Sequence, residues 1–212
     1  MRTKSVWLAL AVLGAAALLA GCAARSTDQA APAQPRATQV ATKAVTTVST
    51  TVTYRADGSL AVRNLGTLTG SCFTGTIAAA PSVKGFRCIG SHNRLLDPCV
   101  APPGVAHPTV VACRSDPWSG ATVLKLTSAL PAPDPLSQVT RPWAMQLAGG
   151  SRCVAVTGTV GVSHGIDLVY TCTDGSGAGT PARGAGGLWH ADHVSAGGVV
   201  TRATAVTQIW QI

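Results

Sequence analysis

Between Cys153 and Cys172 the sequence reads CVAVTGTVGVSHGIDLVYTC, with alternating runs on either side of a glycine-rich centre. In an antiparallel pairing that places Cys153 opposite Cys172, Ala155 faces Tyr170 and Thr157 faces Leu168, all on the side that carries both cysteines. Directly opposed residues on one face of a sheet have Cβ atoms close enough for a disulfide bond. We therefore predict a hairpin with its loop at residues 160–165 and a bridge between Cys153 and Cys172.

The remaining cysteines extend this framework. The chain has seven cysteines, of which six follow residue 66. An even set in an exported chain is typical of a disulfide framework. By proximity in sequence we add Cys72–Cys88 and Cys99–Cys113, although six cysteines allow fifteen pairings. Each bridge would contribute about 3 kcal/mol in the chain-entropy treatment of loops of this size.

Alternation of apolar and polar residues continues outside this hairpin. It is clearest in residues 124–127, 143–148 and 199–212. Because Pro disfavours helix at the residue before it, Asp97-Pro98 and Asp116-Pro117 are predicted turns. No segment beyond the apolar N-terminus has a convincing helical pattern. The sequence therefore predicts an all-β class, a small disulfide-stapled sandwich or barrel.

The N-terminus has the composition of a secretory signal. Arg2 and Lys4 precede an uncharged run from Val6 to Leu19, which as a helix would span about 21 Å. A bilayer core is about 30 Å thick and needs roughly 20 apolar residues, so this run is too short to cross it comfortably. We predict that residues 1–21 are a signal peptide.

The motif Leu19-Ala20-Gly21-Cys22 distinguishes two kinds of signal. It matches a lipoprotein site, at which the thiol is joined to diacylglycerol before cleavage in front of Cys22. The alternative is an ordinary signal that is cut after Ala24. We predict lipidation of Cys22, since two acyl chains at about 0.8 kcal/mol per buried CH₂ hold a protein firmly to a membrane. The predicted location is the extracytoplasmic face of the cell membrane, with the membrane as a partner.

Three segments follow the signal. Residues 22–44 are rich in Ala, Pro, Gln, Ser and Thr without periodicity, and we predict a flexible tether. Residues 45–65 contain two β-rich runs around Asp57-Gly58, a hairpin-turn signal whose membership of the main domain the sequence leaves open. Residues 66–212 are the predicted disulfide-bonded β domain.

The chain is basic, with a formal charge of +8 and eight acidic residues that are all Asp. Its basic residues are scattered singly, whereas nucleic-acid binding requires a basic face. We therefore predict no nucleic-acid partner and only mild attraction to an anionic envelope. The glycine-rich residues 174–179 lack the Lys and the helix of a phosphate loop, and no cofactor is predicted.

Residues 161–165 (GVSHG) match the G-x-S-x-G pattern of hydrolase nucleophile elbows. That motif holds its serine on a strand-turn-helix, whereas the pairing above puts Ser163 at a hairpin tip. Ser163, Asp174 and His190 follow one another in the order of a serine–aspartate–histidine catalytic triad. Such residues are common enough for this order to occur by chance. We favour a glycine-rich hairpin loop and keep an envelope hydrolase using Ser163 as an alternative.

His190 and His193 flank Asp192 and suggest a second alternative, a metal-binding lipoprotein. Residues three apart share a face on a helix but point to opposite sides of a strand. Glycine pairs on both sides leave room only for a short helix. Solvated loop or strand histidines are therefore favoured over metal ligands.

Four tryptophans could stack on sugar rings: Trp118, Trp143, Trp189 and Trp210. The chain has only two Phe and two Tyr, so the core needs these large side chains itself. We expect core positions for them.

The cysteines and their neighbours also carry a resemblance. The segments concerned are GSCFTG (70–75), DPC (97–99), VAC (111–113), DPW (116–118), WAMQL (143–147), Cys153 and YTC (170–172). From Gly70 to the C-terminus the chain is similar to a group of uncharacterised disulfide-bonded extracytoplasmic domains of actinobacterial secreted proteins and lipoproteins. The resemblance implies a recurring disulfide-bonded module, and it implies no activity and no catalytic or binding residue.

These expectations together favour a membrane-anchored cell-envelope lipoprotein. We expect it to be a non-enzymatic module that binds or scaffolds an envelope component or another protein. No catalytic, cofactor-binding or metal-ligating residue is assigned to it.

Overall fold

The computed structural model describes residues 44–78, 85–132 and 141–212 of the 212-residue chain. Within these ranges there are fifteen β strands and two single-turn 3-10 helices, and no described helix is long and apolar enough to cross a membrane. The predicted all-β class is confirmed. The predicted signal peptide, the lipidation site at Cys22 and nearly all of the tether precede residue 44 and lie outside the described residues.

In chain order the strands are β1 Thr47–Thr50, β2 Asn64–Gly75, β3 Gly85–Gly90, β4 Arg94–Val100, β5 Val110–Cys113, β6 Ala121–Leu126, β7 Ala144–Leu147, β8 Arg152–Ala155, β9 Gly161–Ser163, β10 Ile166–Leu168, β11 Tyr170–Cys172, β12 Gly177–Ala178, β13 Ala182–Arg183, β14 Trp189–Val194 and β15 Val200–Gln211. The two 3-10 turns are Ser91–Asn93 and Ala185–Gly187. Strands β2 and β15, of 12 residues each, are the longest described, and each belongs to one of two ring-like sheets.

Strands β2 to β6 close into what we call the first barrel. Each strand pairs antiparallel with the next, and β6 completes the ring by running parallel to β2. Alternate residues of each strand point inward. The buried interior consists of Phe86, Leu96, Val111, Leu124 and the cysteines at 72, 88, 99 and 113.

The other large sheet forms a second ring, the second barrel. Strand β15 pairs with β7, and the pairing continues through β8, β11, β12 and β14 back to β15. Its largest buried side chains are Met145, Leu147, Tyr170, Val206 and Ile209. The Tyr170 hydroxyl donates a 2.6 Å hydrogen bond to the carbonyl of Pro142, so this buried polar group has a partner.

Residues 45–65 pack against the rest of the described chain. Strand β1 runs parallel to the C-terminal strand β15. The Thr46 hydroxyl donates to the Val206 carbonyl at 2.6 Å and accepts from the Trp189 amide at 2.7 Å. The predicted hairpin around Asp57-Gly58 is reduced to one bridge, between Tyr54 and Leu60. Strand β2 then begins at Asn64, so the chain passes from this segment into the first barrel without a linker.

The structure confirms all three predicted disulfides. Paired cysteines lie directly opposite each other on antiparallel strands, with Cα atoms 3.8 Å apart in Cys72–Cys88 and 3.9 Å apart in the other two. Around Cys153–Cys172, the amide of Thr173 donates to the carbonyl of Arg152. The disulfide therefore occupies a non-hydrogen-bonded position, where opposed side chains approach most closely.

The hairpin between these cysteines is confirmed in its first half and differs at its tip. Tyr170 pairs with Ala155 as predicted. The predicted pairing of Thr157 with Leu168 is wrong, because Leu168 pairs with Gly161. The residues expected in the loop instead form the small hairpin of β9 and β10, closed by a turn of two residues, His164 and Gly165. Both have positive φ, 52° and 72°, as in a type I′ turn, whose twist suits adjoining strands. The predicted loop at 160–165 was therefore too long.

The predicted turn at Asp97-Pro98 is wrong, because these residues lie inside β4. The β3–β4 register shifts here, so that Arg87 alone opposes Asp97 and Pro98. Such a bulge tolerates Pro within a strand, since its missing N–H falls where the ladder is already interrupted. The turn at Asp116-Pro117 is confirmed, with the Asp116 carboxylate accepting two backbone N–H groups.

The bulge directs the Asp97 carboxylate into a buried polar network. Asp97 accepts hydrogen bonds from the Thr76 hydroxyl, from the Ile77 amide at 3.4 Å and from Arg87 Nε at 3.2 Å. Arg87 also donates from Nη2 to the Thr157 carbonyl of the second barrel at 2.5 Å. Burial raises the pKa of Asp97, against the opposing effect of these hydrogen bonds and of Arg87. The partly buried Arg87 therefore connects its ion pair with Asp97, within the first barrel, to the second barrel.

We expect Asp97→Ala to lower the free energy of unfolding by about 3–5 kcal/mol, because it leaves Arg87, Thr76 and Ile77 without their buried acceptor. Urea denaturation followed by circular dichroism measures the change. Asp57→Ala, which removes an exposed turn carboxylate, is the control and should shift the midpoint far less. Equal shifts in the two variants would contradict the role assigned to Asp97.

Candidate functional site

A cavity of about 430 Å³ opens on the second barrel. We call it the polar bowl; its polar or titratable lining residues are Asp167, Thr180, His190, Asp192 and Arg202. Most of the other lining residues are Gly or Ala, which leave room between these side chains. The bowl is built where strands β10, β14 and β15 meet the connection between β12 and β13.

A bulge between β14 and β15 shapes the bowl. Ala191 pairs with Thr204 and His193 with Thr201, so Asp192 alone opposes two residues of β15, Arg202 and Ala203. Ala203 has a φ of 50°, in the left-handed region that residues other than glycine seldom adopt. Bulges of this kind re-aim side chains and recur beside functional sites.

The bulge holds Asp192 and Arg202 in one ion pair. The Asp192 carboxylate accepts the Ala203 amide at 3.0 Å and Arg202 Nη1 at 2.5 Å. The Ala203 hydrogen bond, followed by Arg202, lowers the pKa of Asp192. The carboxylate is therefore a fixed anion, bonded through both oxygens, and not a group poised to exchange a proton.

The two candidate histidines are separated by the strand. His190 lines the bowl, whereas His193 does not, and its Nε2 is buried without a hydrogen-bond partner. In the described ranges, the group of three or more His, Cys, Asp or Glu residues whose ligand atoms lie within 4.8 Å of one another consists of Cys88, Cys99 and Cys113. All three sulfurs are in disulfides and offer no thiolate. The structure does not bring His190, Asp192 and His193 together as a metal site.

Ser163 lies at the end of β9, beside the His164-Gly165 turn that borders the bowl through Gly165. Its Oγ is 3.0 Å from Nδ1 of the adjacent His164, whose side chain is exposed. Among the described residues His164 has no carboxylate partner to orient its ring. The predicted hairpin-tip position is confirmed, and no helix follows the serine as a nucleophile elbow requires.

Asp174, the carboxylate considered for a triad, has other partners. It lies in the turn between β11 and β12, where it accepts the Ser151 hydroxyl and, at 3.0 Å and 2.5 Å, the amide and hydroxyl of Ser176. The Ser151 hydrogen bond, followed by those of Ser176, lowers the pKa of Asp174 to about 2. The structure therefore does not link Ser163, Asp174 and His190 by hydrogen bonds.

The tryptophans do not form a shared platform. Trp143 is 2% exposed and belongs to the core, as predicted. The other three are only half-buried, so the predicted core position is wrong for them; Trp189 packs against the core of the second barrel. Trp118 and Trp210 meet edge to face at 5.2 Å, and the guanidinium of Arg152 covers Trp118 at 5.4 Å. None of the four lines the bowl.

Sequence reasoning missed Asp167 and Arg202. A signal for Arg202 was present, because a hairpin turning near Gly197-Gly198 places Asp192 and Arg202 across from each other. Asp167 carried no such signal, since it reaches the bowl only through the separate β9–β10 hairpin.

Comparison with known protein families, characterised proteins and solved structures finds no match to this chain. A function can therefore be inferred only from the sequence and from the geometry of the polar bowl and of the Ser163–His164 turn.

We expect Ser151→Ala to raise the pKa of Asp174 from about 2 towards its ordinary value of 3.8, because the strongest hydrogen bond to the carboxylate is lost. A carboxylate with a lowered pKa stabilises the fold above its unfolded pKa, and this stabilisation is lost as the pH falls through the folded pKa. As the pH falls, the Ser151→Ala variant should lose this stabilisation at a higher pH than the unaltered protein does. Carboxyl NMR titration measures the shift, with the exposed Ser128→Ala as control; an unchanged Asp174 pKa would contradict the assignment.

Proposed function

We propose that the chain is a lipid-anchored lipoprotein of the extracytoplasmic face of the cell membrane, whose β domain is a non-enzymatic binding module. The charged start, the short apolar run and the motif ending at Cys22 support the anchor. The three disulfides support export, because such bonds persist in oxidising compartments.

The ion pair of Asp192 and Arg202 in the polar bowl is the observation that carries the binding proposal. It holds a fixed acceptor and a partly free donor on rigid strands, as ligand recognition requires. Arg202 keeps further N–H donors, the exposed Asp167 adds an acceptor, and the half-buried His190 adds a ring nitrogen. At about 430 Å³ the bowl falls in the usual range for small-molecule sites.

The lining indicates the chemistry of the ligand. Charged groups of both signs surround small side chains, and no Phe, Tyr or Trp side chain lines the bowl. A polar ligand with both donors and acceptors fits this lining better than an apolar one. We therefore propose a short polar fragment of the cell envelope as the ligand class.

The contact of Ser163 with His164 favours a second candidate, an envelope hydrolase. A serine nucleophile needs a base that a third group orients. The described residues supply the serine and the histidine, which are adjacent in the chain, but no carboxylate that would orient His164. This geometry supports the hydrolase less well than the binding module.

NMR titration with soluble oligosaccharides and short peptides released from bacterial envelope tests the binding module. A bound fragment should shift the amides of Asp167, Ala191 and Arg202. Arg202→Ala should weaken its binding about tenfold, equivalent to about 1.4 kcal/mol. Arg183→Ala removes an exposed Arg outside the bowl and should leave the affinity unchanged.

Two outcomes would contradict the binding module. One is a fragment whose binding shifts only amides far from the bowl. The other is covalent labelling by a serine-reactive probe that is lost in Ser163→Ala, which would favour the hydrolase.

The anchor is tested by mass spectrometry of the protein purified from membranes. We expect an acylated Cys22 at the amino terminus, because this cysteine follows the predicted lipoprotein motif. We expect the other six cysteines to be oxidised, because they form the three disulfides. Cys22→Ser should abolish acylation. An unacylated terminus downstream of residue 22 in the unaltered protein would contradict the anchor.

A further inference from the structure

A second cavity, of about 300 Å³, lies in the cleft between the two barrels. Strand β4 and residues 113–115 line it from the first barrel, and residues 154–158 line it from the second. Two arginines, Arg94 and Arg114, are among its lining residues. Arg94 is exposed, whereas Arg114 is only 5% exposed.

The hydrogen bonding of Arg114 is incomplete. Its bonds to described residues come from Nη2, which donates to the carbonyls of Pro117 at 2.8 Å and Ser119 at 3.2 Å. Its Nε is buried without a partner. Since a guanidinium has five N–H donors, and Nη2 carries two of them, three remain without an acceptor in the described protein.

The charge of Arg114 is only partly compensated within the described protein. Ion pairs in the described ranges are Arg87–Asp97 and Arg202–Asp192, and neither includes Arg114. The Asp116 carboxylate, which accepts two backbone amides, is close enough to oppose the lowering of the Arg114 pKa by burial, but it forms no salt bridge with the guanidinium. The ring of Trp143 lies 5.3 Å from the guanidinium carbon and offsets only part of the cost of burying a cation.

The other charged group in the cleft does not compensate for this charge. Asp97 lines the cleft, but its oxygens are occupied by Thr76, Ile77 and Arg87. Its charge is balanced by Arg87. Arg94 and Arg114 therefore leave the cleft with an excess of positive charge beside unfilled N–H donors.

We propose that this cleft is an oxyanion-binding site, in which Arg114 and Arg94 hold a phosphate or carboxylate group. Arginine suits both groups because its planar donors match their oxygens. Thr122 lines the same cleft, and its hydroxyl can add a donor. The bound anion supplies an acceptor for the unpartnered N–H groups of Arg114 and a negative charge in direct contact with its guanidinium. The site is separate from the polar bowl and does not depend on the proposed function.

Isothermal calorimetry with inorganic phosphate and with acetate, at constant ionic strength and on the oxidised protein, tests the site. We expect saturable binding of at least one anion, and the tighter one shows whether the cleft suits a tetrahedral or a planar group. Arg94→Ala should weaken this binding at least about fivefold, because an exposed cation at the cleft is lost. Arg114→Lys keeps the charge but loses the planar donors, and should weaken it further.

Arg183→Ala is the matched control, because it removes the same charge from an exposed site outside the cleft. It should change the affinity less than twofold. Arg94→Ala tests the site even if Arg114→Lys fails to fold, because the exposed Arg94 side chain makes no hydrogen bond to the described residues and the alanine keeps the backbone pairing with Gly90. Absence of saturable binding of either anion, or equal weakening in Arg94→Ala and Arg183→Ala, would overturn the proposal.

Discussion

The buried carboxylate of Asp97 links parts of the chain that are far apart in sequence. It fixes the end of β2 through Thr76 and Ile77, and it fixes Arg87, which reaches the second barrel at Thr157. Burying a charge is costly unless hydrogen bonds and an opposite charge compensate for it. The bulge at Asp97 and Pro98 provides that compensation by turning the carboxylate towards its donors. The arrangement of the two barrels therefore depends on an interruption in the regular pairing of β3 and β4.

Local patterns predicted the local parts of the fold. The register of Cys153 with Cys172 followed from alternation, and proximity in sequence gave the other two disulfides. The parallel pairings of β2 with β6 and of β1 with β15 carried no such signal, because their residues are far apart in the chain. The position of Asp97 could not be read from the sequence either, since Asp-Pro usually marks a turn and a bulge depends on the neighbouring strand.

The candidate sites show the same division. His190 and Asp192 were recognised as candidates from their residue types. Their role was not predicted, because the Asp192 carboxylate accepts hydrogen bonds from Arg202 and the Ala203 amide. Ser163 was correctly placed at a hairpin tip. The cleft beside Arg114 had no counterpart in the sequence, since nothing local shows that an arginine is buried with its charge only partly compensated. Sequence alone identified residue types, and the packing of the barrels determined which of them act together.

The parallel pairing of β1 with β15 has a mechanical consequence. The partners run from Thr47 with Gln208 to Thr50 with Gln211, side by side and in the same direction. Tension applied along β1 from its N-terminal end loads these pairs in shear, so that their hydrogen bonds resist together instead of parting one at a time. On the proposed anchor, a pull between membrane and domain would enter the molecule through this strand and pass into β15. The junction is thus suited to carrying force without peeling the second barrel open.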